Sequence, residues 1–575
     1  MENEIEIVRH SLAHVLAASV LRLYPGTKLG TGPNIEDGFY YDFHFKKSIS
    51  SEDLSAIEAE MRKLINENQN FEKIVVPIAQ ARRIFKNEPY KQELIDDIEK
   101  GEDRPESVTV YKLGTFEDLC RGPHVASTAE LRGVAFKLDK VAGAYWKGEE
   151  SNNMLSRIYG LAFAKKSELA KFLELREEAE KRDHKKLGKE LGLFIFSDLI
   201  GPGLPIYTPE GTILRNSIKD YSNALRAKMG YLEVHTPQIN KADLFKKSGH
   251  YEKYRENMFK LESNYTQDEY YLKPMNCPQH TQIYASKLRS YKDLPIRLAD
   301  FANLYRDEKP GQLGGLTRLR AFSQDDGHCF CREDQIESEF SLLLDAVKQA
   351  MSRYGLDYYI RLSLRDENNK DAYLGDDKSW VKSQEMLEKM LKEKNIDYRR
   401  AEGEAAFYGP KMDLVAEDSL GREWQLSTIQ LDFNMPVRFG LEYIGEDGKK
   451  HTPAMIHSAI VGSPERFMAV LIEHYGGNFP VWLAPVQVTV IPVSNKHNNH
   501  AQEVYEQLKE LGVRVAINLA NETLGRKIRE NEKKKIPYVA VVGDQEIANN
   551  TIAVRLADGR NQNMSVSDFA QLVID

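Results

Sequence analysis

Between Arg297 and His328 the chain reads RLADFANLYRDE, then KPGQLGG, then LTRLRAFSQDDGH, and apolar and polar positions alternate on either side of the Gly/Pro-rich middle. Period-two alternation flanking a Gly-bearing turn predicts a long antiparallel hairpin. Residues two apart in a strand share a face, so Arg306 is expected beside Glu308, and Arg318, Arg320, Phe322 and Gln324 are expected together on the facing strand. A planar guanidinium matches phosphate oxygens, and an aromatic ring can stack on a base. A solvated strand edge guarded by charges would account for the arginines, but not for the aromatic and the amide among them.

The same patterning divides the rest of the chain. SLAHVLAASVL predicts an amphipathic helix that carries His10 and His14 at i and i+4 on one face. LGTGPNIEDGFYYDFHF alternates as a hairpin, and a polar helix follows over Ser51 to Asn68, with Ser51 as its cap. Helical spacing and dense mixed charge in KKSELAKFLELREEAEKRDHKKLGKEL, with i,i+4 pairs such as Glu177 to Lys181, predict a solvated connecting helix. Next come a helix from about Thr208, a strand YLEVHTPQI ended by Pro237, a strand running into a helix in YYLKPMNCPQHTQIYAS, the hairpin, and a helix over about Arg332 to Tyr354. DYYIRLSL, RRAEGEAAFYGPKMDLVAED and EWQLSTIQLDFNMP are strand-like, and AMIHSAIVGSPERFMAVLIEHYGG reads as strand, turn and helix. Strand pairs joined by hairpins with helices at the ends point to an antiparallel α+β domain. From Pro485 strands and helices alternate through VQVTVIPV, HNNHAQEVYEQLKELG, VRVAINLA, GRKIRENEKKKI, PYVAVVGDQEI and SVSDFAQLVI, which predicts a small α/β domain; its basic run, Arg526 to Lys535, is the local candidate for a phosphate-facing patch.

Composition fits a globular chain of several domains: 575 residues, 41% hydrophobic and 29% charged. A net charge of −8 means that any nucleic-acid contact must come from local basic patches. Four cysteines, Cys120, Cys277, Cys329 and Cys331, are too few for a disulfide framework and fit reduced thiols, some of them metal ligands. No apolar run is long enough to span a bilayer, and acidic Glu2, Glu4 and Glu6 precede the first helix where a signal peptide would be basic. A cytoplasmic protein is expected. In FEDLCRGPHV, Cys120 and His124 are four apart; with His10 and His14 they make a potential four-ligand metal set.

LYRDE on the hairpin, the GSPERF turn leading into a helix, and the helix–strand unit ending at Pro237 resemble the three signature motifs of class II aminoacyl-tRNA synthetases. The resemblance tightens in KPMNCPQH, RAFSQDDGH, AFYGPK, WQLSTIQLDF and MIHSAIVGSPERF, which look like the threonyl-tRNA synthetase family, and it covers essentially the whole chain. It implies an editing domain over residues 1–162, a linker helix over 163–193, a class II antiparallel catalytic core over 194–480 and an α/β anticodon-binding domain over 481–575. The family usually begins with a small ubiquitin-like domain, whereas this sequence starts at the editing domain. KLESNYTQDEYY is slightly longer than the family pattern and is expected to form a longer hairpin turn.

Independently of the resemblance, Cys277, His328 and His457 lie on three segments around the predicted sheet. One thiolate and two imidazoles suit zinc and leave a position open. Alternation puts Cys329 and Cys331 on the face opposite His328, outside the set. The resemblance implies one Zn2+ per subunit held by these three residues and chelating the amine and hydroxyl of threonine. Valine, isosteric but without the hydroxyl, would leave the metal unsatisfied. It further implies Arg306 on the α-phosphate, Glu308 on the adenine amino group, Phe322 stacked on the base, and Arg318 and Arg466 toward the terminal phosphates. Met275, Gln324, Asp326, Tyr408, Lys411, Thr428, Gln430 and Ser463 would line the threonine and adenylate pocket, with Asp326 on the substrate hydroxyl. His250 matches the family's histidine near the terminal ribose, and Mg2+ would accompany ATP.

Zinc cannot reject serine, so a hydrolytic site is expected. The resemblance assigns it to His10, His14, Cys120 and His124, working by water activation without metal, with Asp118, Lys91 and Tyr41 as helpers. Asn521, Arg529, Glu546 and Arg555 match anticodon-reading positions. The implied activity is ligation of L-threonine to tRNA(Thr) with ATP by a homodimer, with hydrolysis of seryl-tRNA(Thr). The alternative is a synthetase-like RNA-binding regulator without ligase activity, which should show broken ATP motifs, yet Arg306, Glu308 and Arg466 are all present.

Overall fold

Residues 2–101, 105–149, 151–418, 420–556 and 559–574 are described by the computed structural model. Contacts divide the chain into two units, Met1–Glu177 and Glu178–Asp575. In the first, strands Gly38–His44, Met154–Phe163 and Ala135–Tyr145 form an antiparallel sheet, with the expected hairpin formed by Asn34–Ile35 and Gly38–His44. The helices Glu2–Leu23 and Leu54–Asn66 cover it, and Leu12, Leu16 and Val20 pack with Phe39, Phe43, Ile57 and Met61. A smaller sheet joins Phe71–Pro77, Ser107–Leu113 and Phe116–Leu119. Two expectations change here. The first helix is not amphipathic along its length, because Ser11 to Val20 are buried without interruption. Over that stretch its polar positions meet protein instead of water: Ser11 and His14 are buried and His10 is half-buried. The second helix is entered through a 3-10 turn, Ser51–Asp53, and it is this turn that is capped, by Ser50 and not Ser51, in a reciprocal box with Asp53.

The connecting segment is two helices, Lys166–Arg182 and His184–Glu190, where one was expected. At the break the Asp183 side chain accepts the Lys185 backbone N–H at 2.7 Å and caps the second helix.

The eight-stranded sheet of the second unit runs in spatial order Leu232–Glu233, Ile296–Tyr305, Ala321–Cys331, Ala454–Ala459, Glu423–Asp432, Lys411–Glu417, Asp357–Leu364 and Tyr398–Glu402. All neighbours are antiparallel except the pairs at the two edges. The hairpin exists, but its ladder ends at the pair Tyr305 with Ala321, so Arg306, Glu308, Arg318 and Arg320 lie in its loop and not on strand faces. Gly and Pro in KPGQLGG open the turn wider than alternation alone suggested. The helix Asp377–Glu393 corresponds to no expected element, although Trp380, Leu387, Met390 and Leu391 are its buried stripe at helical spacing. Cys329 and Cys331 are buried on the helix-covered side, away from His328 as expected. At the C-terminal end, strands Val515–Ile517, Val488–Pro492 and Tyr538–Val542 are parallel, and Ile552–Arg555 and Asn561–Met564 extend the sheet antiparallel. Asp544–Asn549, expected within a strand, is a short helix. Among the described residues no helix is long and apolar enough to cross a membrane.

One buried ion pair ties the large sheet together. Arg226, from helix Pro209–Lys228, donates through Nε to Asp325 Oδ1 at 2.7 Å and through Nη2 to the Ser458 and Asp325 carbonyls at 2.8 and 3.1 Å. Asp325 Oδ2 accepts the backbone N–H groups of Ile460 and Val461 at 2.8 and 3.0 Å. Gly327 is required beside it, since a Cβ there would lie 2.0 Å from Arg226 Nη1. Arg226→Met should therefore lower the stability of this unit by about 3–5 kcal/mol, because it strands a buried carboxylate. Chemical denaturation of the full chain, read by hydrogen exchange in the 454–475 segment, measures it; a loss under about 1 kcal/mol would contradict the assignment.

Candidate functional sites

A cavity of about 450 Å3 opens over the large sheet, lined by Arg306, Glu308, Thr317, Arg318, Phe322, Gln324, Lys411, Thr428, Ser463 and Arg466 among others. Arg306 lies over the Phe322 ring at 5.1 Å, and its buried Nε has no hydrogen-bond partner. Arg466 donates Nε to the Thr317 carbonyl at 3.1 Å. Burial lowers the pKa of Arg306, and burial together with the charges of Arg306 and Arg318 lowers that of Arg466. Such a cluster of guanidiniums is a site for a multiply charged anion. Glu308 Oε2 accepts from Arg318 Nε and Nη2 at 3.0 and 2.8 Å. Ser463 caps helix Pro464–Tyr475, accepting the Arg466 backbone N–H.

Phe322, Gln324, Asp326 and His328 alternate down one face of strand Ala321–Cys331. The face ends at a buried group in which one ligand atom each of Cys277, His328 and His457 lies within 4.8 Å of the others. His328 and His457 are direct register partners, with His328 Nε2 3.0 Å from His457 Nδ1. His457 Nε2 donates to Asp432 Oδ2 at 2.9 Å, which leaves Nδ1 as the lone pair aimed into the group. Asp432 is itself held, its Oδ1 accepting the Asn434 and Met435 N–H groups at 2.7 and 2.9 Å. His280, 2.8 Å from His328 through Nδ1, orients the second ring. A thiol and two imidazoles, one braced by a carboxylate, fit a zinc-type ion. Asp432 and His280 escaped the sequence reading, although His280 lies inside the quoted KPMNCPQH string.

Around this group Tyr408 lies 5.0 Å from the His457 ring, and Asp326 Oδ1 is 3.7 Å from His328 Nε2. Burial pushes the Asp326 carboxyl up to about 7. His250 is fully buried: its Nδ1 meets Ser248 Oγ at 2.7 Å, and its Nε2 faces Met275 Sδ at 2.9 Å and Cys277 Sγ at 3.7 Å. Burial and the neighbouring His457 and Arg306 charges bring its pKa down to about 3. Gln430, opposite His457, donates to the Gly409 carbonyl at 2.9 Å. Lys411 and Thr428 both bind buried Asp413, at 2.7 and 2.9 Å. Asp413, also unanticipated, holds two cavity-lining side chains at once.

In the N-terminal unit His10, His14, Cys120 and His124 also converge. Cys120 Sγ is 3.3 Å from His10 Nε2 and 3.4 Å from His124 Nε2. Asp118 accepts from Tyr41 OH at 2.6 Å, pairs with Lys91, and lies 3.5 Å from His14 Nε2. Ser11, within HSLAH, was missed. Its Oγ donates to the Ile7 carbonyl at 2.8 Å and accepts the Val125 N–H at 3.0 Å, so the 3.2 Å contact with His124 Nδ1 is an N–H donated by the ring. His124 Nε2 is then the free base facing Cys120.

The anticodon-reading candidates are spread over the last domain. Asn521 and Arg529 are exposed, Arg555 lies 3.7 Å from Glu532, and Glu546 accepts the Gly543 N–H at 2.9 Å, which commits one carboxylate oxygen to capping its own helix.

A nearly all-antiparallel sheet whose hairpin loop and terminal helix put arginines around one anion cavity is the core of a class II tRNA synthetase. Residues 259–475 match the tRNA synthetase class II core domain (G, H, P, S and T), residues 487–575 an anticodon binding domain, and residues 108–159 the threonyl and alanyl tRNA synthetase second additional domain. The chain belongs to the threonine–tRNA ligase family. It is 47% identical over 571 residues to the threonine–tRNA ligase of Rubrobacter xylanophilus, covering 99% of this chain and 88% of that protein. With threonine–tRNA ligase 2 of Bacillus subtilis it shares 48% over 564 residues, 98% of this chain and 86% of the other. Among solved structures, the RNA binding domain of threonyl-tRNA synthetase from Cryptosporidium parvum superposes with TM-score 0.66 at 37% identity, covering 68% of this chain and 98% of that one. A putative threonyl-tRNA synthetase from Aeropyrum pernix does so with TM-score 0.61 at 29% identity, covering 68% and 94%.

Burial lowers the pKa values of His10, His14 and His124 below the ordinary 6.5, and raises the Cys120 thiol to about 11, so the quartet is neutral near pH 7. Below 6.5 the unfolded chain takes up protons that the folded unit refuses, so stability falls as pH falls. With chelator present, hydrogen exchange in helix Glu2–Leu23 should speed up as pH drops from 7 toward 5, after correction for intrinsic rates, and His124→Gln should weaken that dependence. A corrected rate independent of pH would contradict buried neutral histidines.

Proposed function

We propose that the chain activates L-threonine with ATP and transfers it to tRNA(Thr), and that its first unit hydrolyses seryl-tRNA(Thr). The observation that carries this reading is a single strand face, Phe322 to His328, leading from the arginine cavity to the Cys277–His328–His457 group. ATP with Mg2+ enters the cavity, where Arg306, with Nε unpartnered, takes the α-phosphate and Phe322 the base. Glu308 exchanges its bond to Arg318 for the adenine amino group, which frees Arg318 to join Arg466 on the terminal phosphates. Zinc bound by Cys277, His328 and His457 would supply a Lewis acid for the threonine amine and hydroxyl. Asp432 and His280 keep the two imidazoles oriented for that ion, and Asp326 accepts from the hydroxyl. Gln324, Lys411, Thr428, Ser463, Tyr408, Gln430 and Met275 complete the walls, with Lys411 and Thr428 positioned by Asp413. His250 assists transfer through its unprotonated Nε2.

Serine satisfies the same chemistry, so rejection falls to the quartet. His124 Nε2, held as a base by Ser11, activates water, while Cys120, His10 and His14 shape the site and Asp118, Lys91 and Tyr41 support it. Asn521, Arg529, Glu546 and Arg555 are assigned to the anticodon. A homodimer through the helix–strand unit that ends at Pro237 belongs to the same proposal, supported by the exposed Leu232 on the edge strand Leu232–Glu233 and by exposed Leu199 and Ile200. Four free cysteines support a reducing, cytoplasmic setting.

Threonine-dependent ATP–pyrophosphate exchange is the direct test, with serine and valine alongside and metal content measured. Exchange with threonine, some with serine and little with valine, plus about one zinc per chain, is expected. Absence of exchange with all three despite bound zinc would sink the ligase reading and favour the RNA-binding regulator. Cys277→Ala should lose both zinc and threonine activation. His124→Ala should keep exchange but let seryl-tRNA(Thr) accumulate; unchanged seryl-tRNA hydrolysis would remove the quartet from the reaction.

A further inference from the structure

Beyond the residues that face the cavity, one buried histidine grips the loop forming its wall. His184 begins helix His184–Glu190 and is 4% exposed. Its Nε2 lies 3.0 Å from the backbone nitrogen of Leu316, which can only donate, so Nε2 is the acceptor. The proton of the neutral ring is therefore on Nδ1, which donates to Glu473 Oε1 at 2.6 Å. The same oxygen accepts the His184 backbone N–H at 3.0 Å, and Arg422 holds the other oxygen of Glu473. With both ring nitrogens committed, His184 and Glu473 form a clamp, and Asp183, committed to capping the helix, does not make them a metal site, although the three ligand atoms lie close together.

The loop is built for this contact. Gly315 has φ +58°, and a Cβ on it would lie 2.2 Å from His184 Nε2. Immediately beyond the clamped amide, Leu316, Thr317 and Arg318 line the nucleotide cavity, and the Thr317 carbonyl accepts from Arg466. Glu473 belongs to Pro464–Tyr475, the helix that also carries Arg466. The clamp thus ties one end of the hairpin loop to the helix supplying the facing arginine.

We propose that His184, braced by Glu473, is a positioning residue for the nucleotide: it fixes the loop at Leu316 so that Arg318 and Arg466 meet the phosphates of ATP. The inference rests on the ligase reading for its kinetic arm alone.

In the full-length chain, His184→Phe keeps the ring and removes both hydrogen bonds, whereas His184→Gln can restore the acceptor for Leu316. His184→Phe should raise KM for ATP roughly tenfold, as expected when one buried hydrogen bond no longer orders the loop, and leave KM for threonine within about twofold. Hydrogen exchange across 314–320 should accelerate, and His184→Gln should recover most of both effects. An equal change in both KM values with unchanged exchange at 314–320, or no change at all, would overturn the clamp. Should His184→Phe not fold, Glu473→Gln, which weakens the brace, gives the same two readouts. If wild-type protein shows no threonine-dependent pyrophosphate exchange, the ligase reading fails, and the exchange rates at 314–320 still decide the clamp.

Discussion

The catalytic unit depends on the burial of Arg226 against Asp325. A buried guanidinium and carboxylate are costly to desolvate and are held only when every strong donor and acceptor is answered. Here the answers come from three separate pieces of chain: the helix Pro209–Lys228, the strand Ala321–Cys331, and the segment from Ser458 to Val461. Glu465 repeats the device nearby, accepting from Arg215, the Ser323 N–H and Ser463 Oγ. The helix, the hairpin and the terminal turn that supply the cavity are therefore locked in mutual register by polar groups that cannot be left unpaired.

Around that frame, buried carboxylates orient the groups proposed to do the chemistry. Asp432 sets His457, Asp413 sets Lys411 and Thr428, and Glu473 sets His184. A carboxylate that accepts several N–H groups is itself immobile, so it transmits rigidity from backbone to imidazole or ammonium. In the N-terminal unit the hydroxyl of Ser11 has that role toward His124.

The charges left over are as informative as those that are paired. Arg306 and Arg466 crowd one cavity with their pKa values lowered, which is unfavourable alone and is relieved by a polyanion. At the other end of the same strand face, two imidazoles and a thiol are buried together, an arrangement suited to a cation. Three alternating side chains, Phe322, Gln324 and Asp326, thus separate the arginine cavity from the Cys277–His328–His457 group along one strand face.

Much of this was legible in one dimension. Alternation placed the hairpin strands and separated His328 from Cys329 and Cys331, since period two leaves no freedom about which side chains share a face. The i,i+4 histidines and the Cys–His pair in FEDLCRGPHV announced a quartet, and long motif strings announced the family. What local pattern could not supply was anything set by partners far along the chain. The first helix appeared amphipathic because its polar face is covered by a loop about 110 residues later. The two flanks of the hairpin loop, Arg306 to Glu308 and Leu316 to Arg320, read as strand because alternation persists where the ladder has already ended. Asp325, Asp413, Asp432, His280 and His184 resembled ordinary polar residues, and their importance exists only where strands and helices from distant segments meet. Local sequence determines periodicity and chemical type; tertiary structure decides which buried polar group answers which, because a hydrogen bond acts over about 3 Å whatever the separation along the chain.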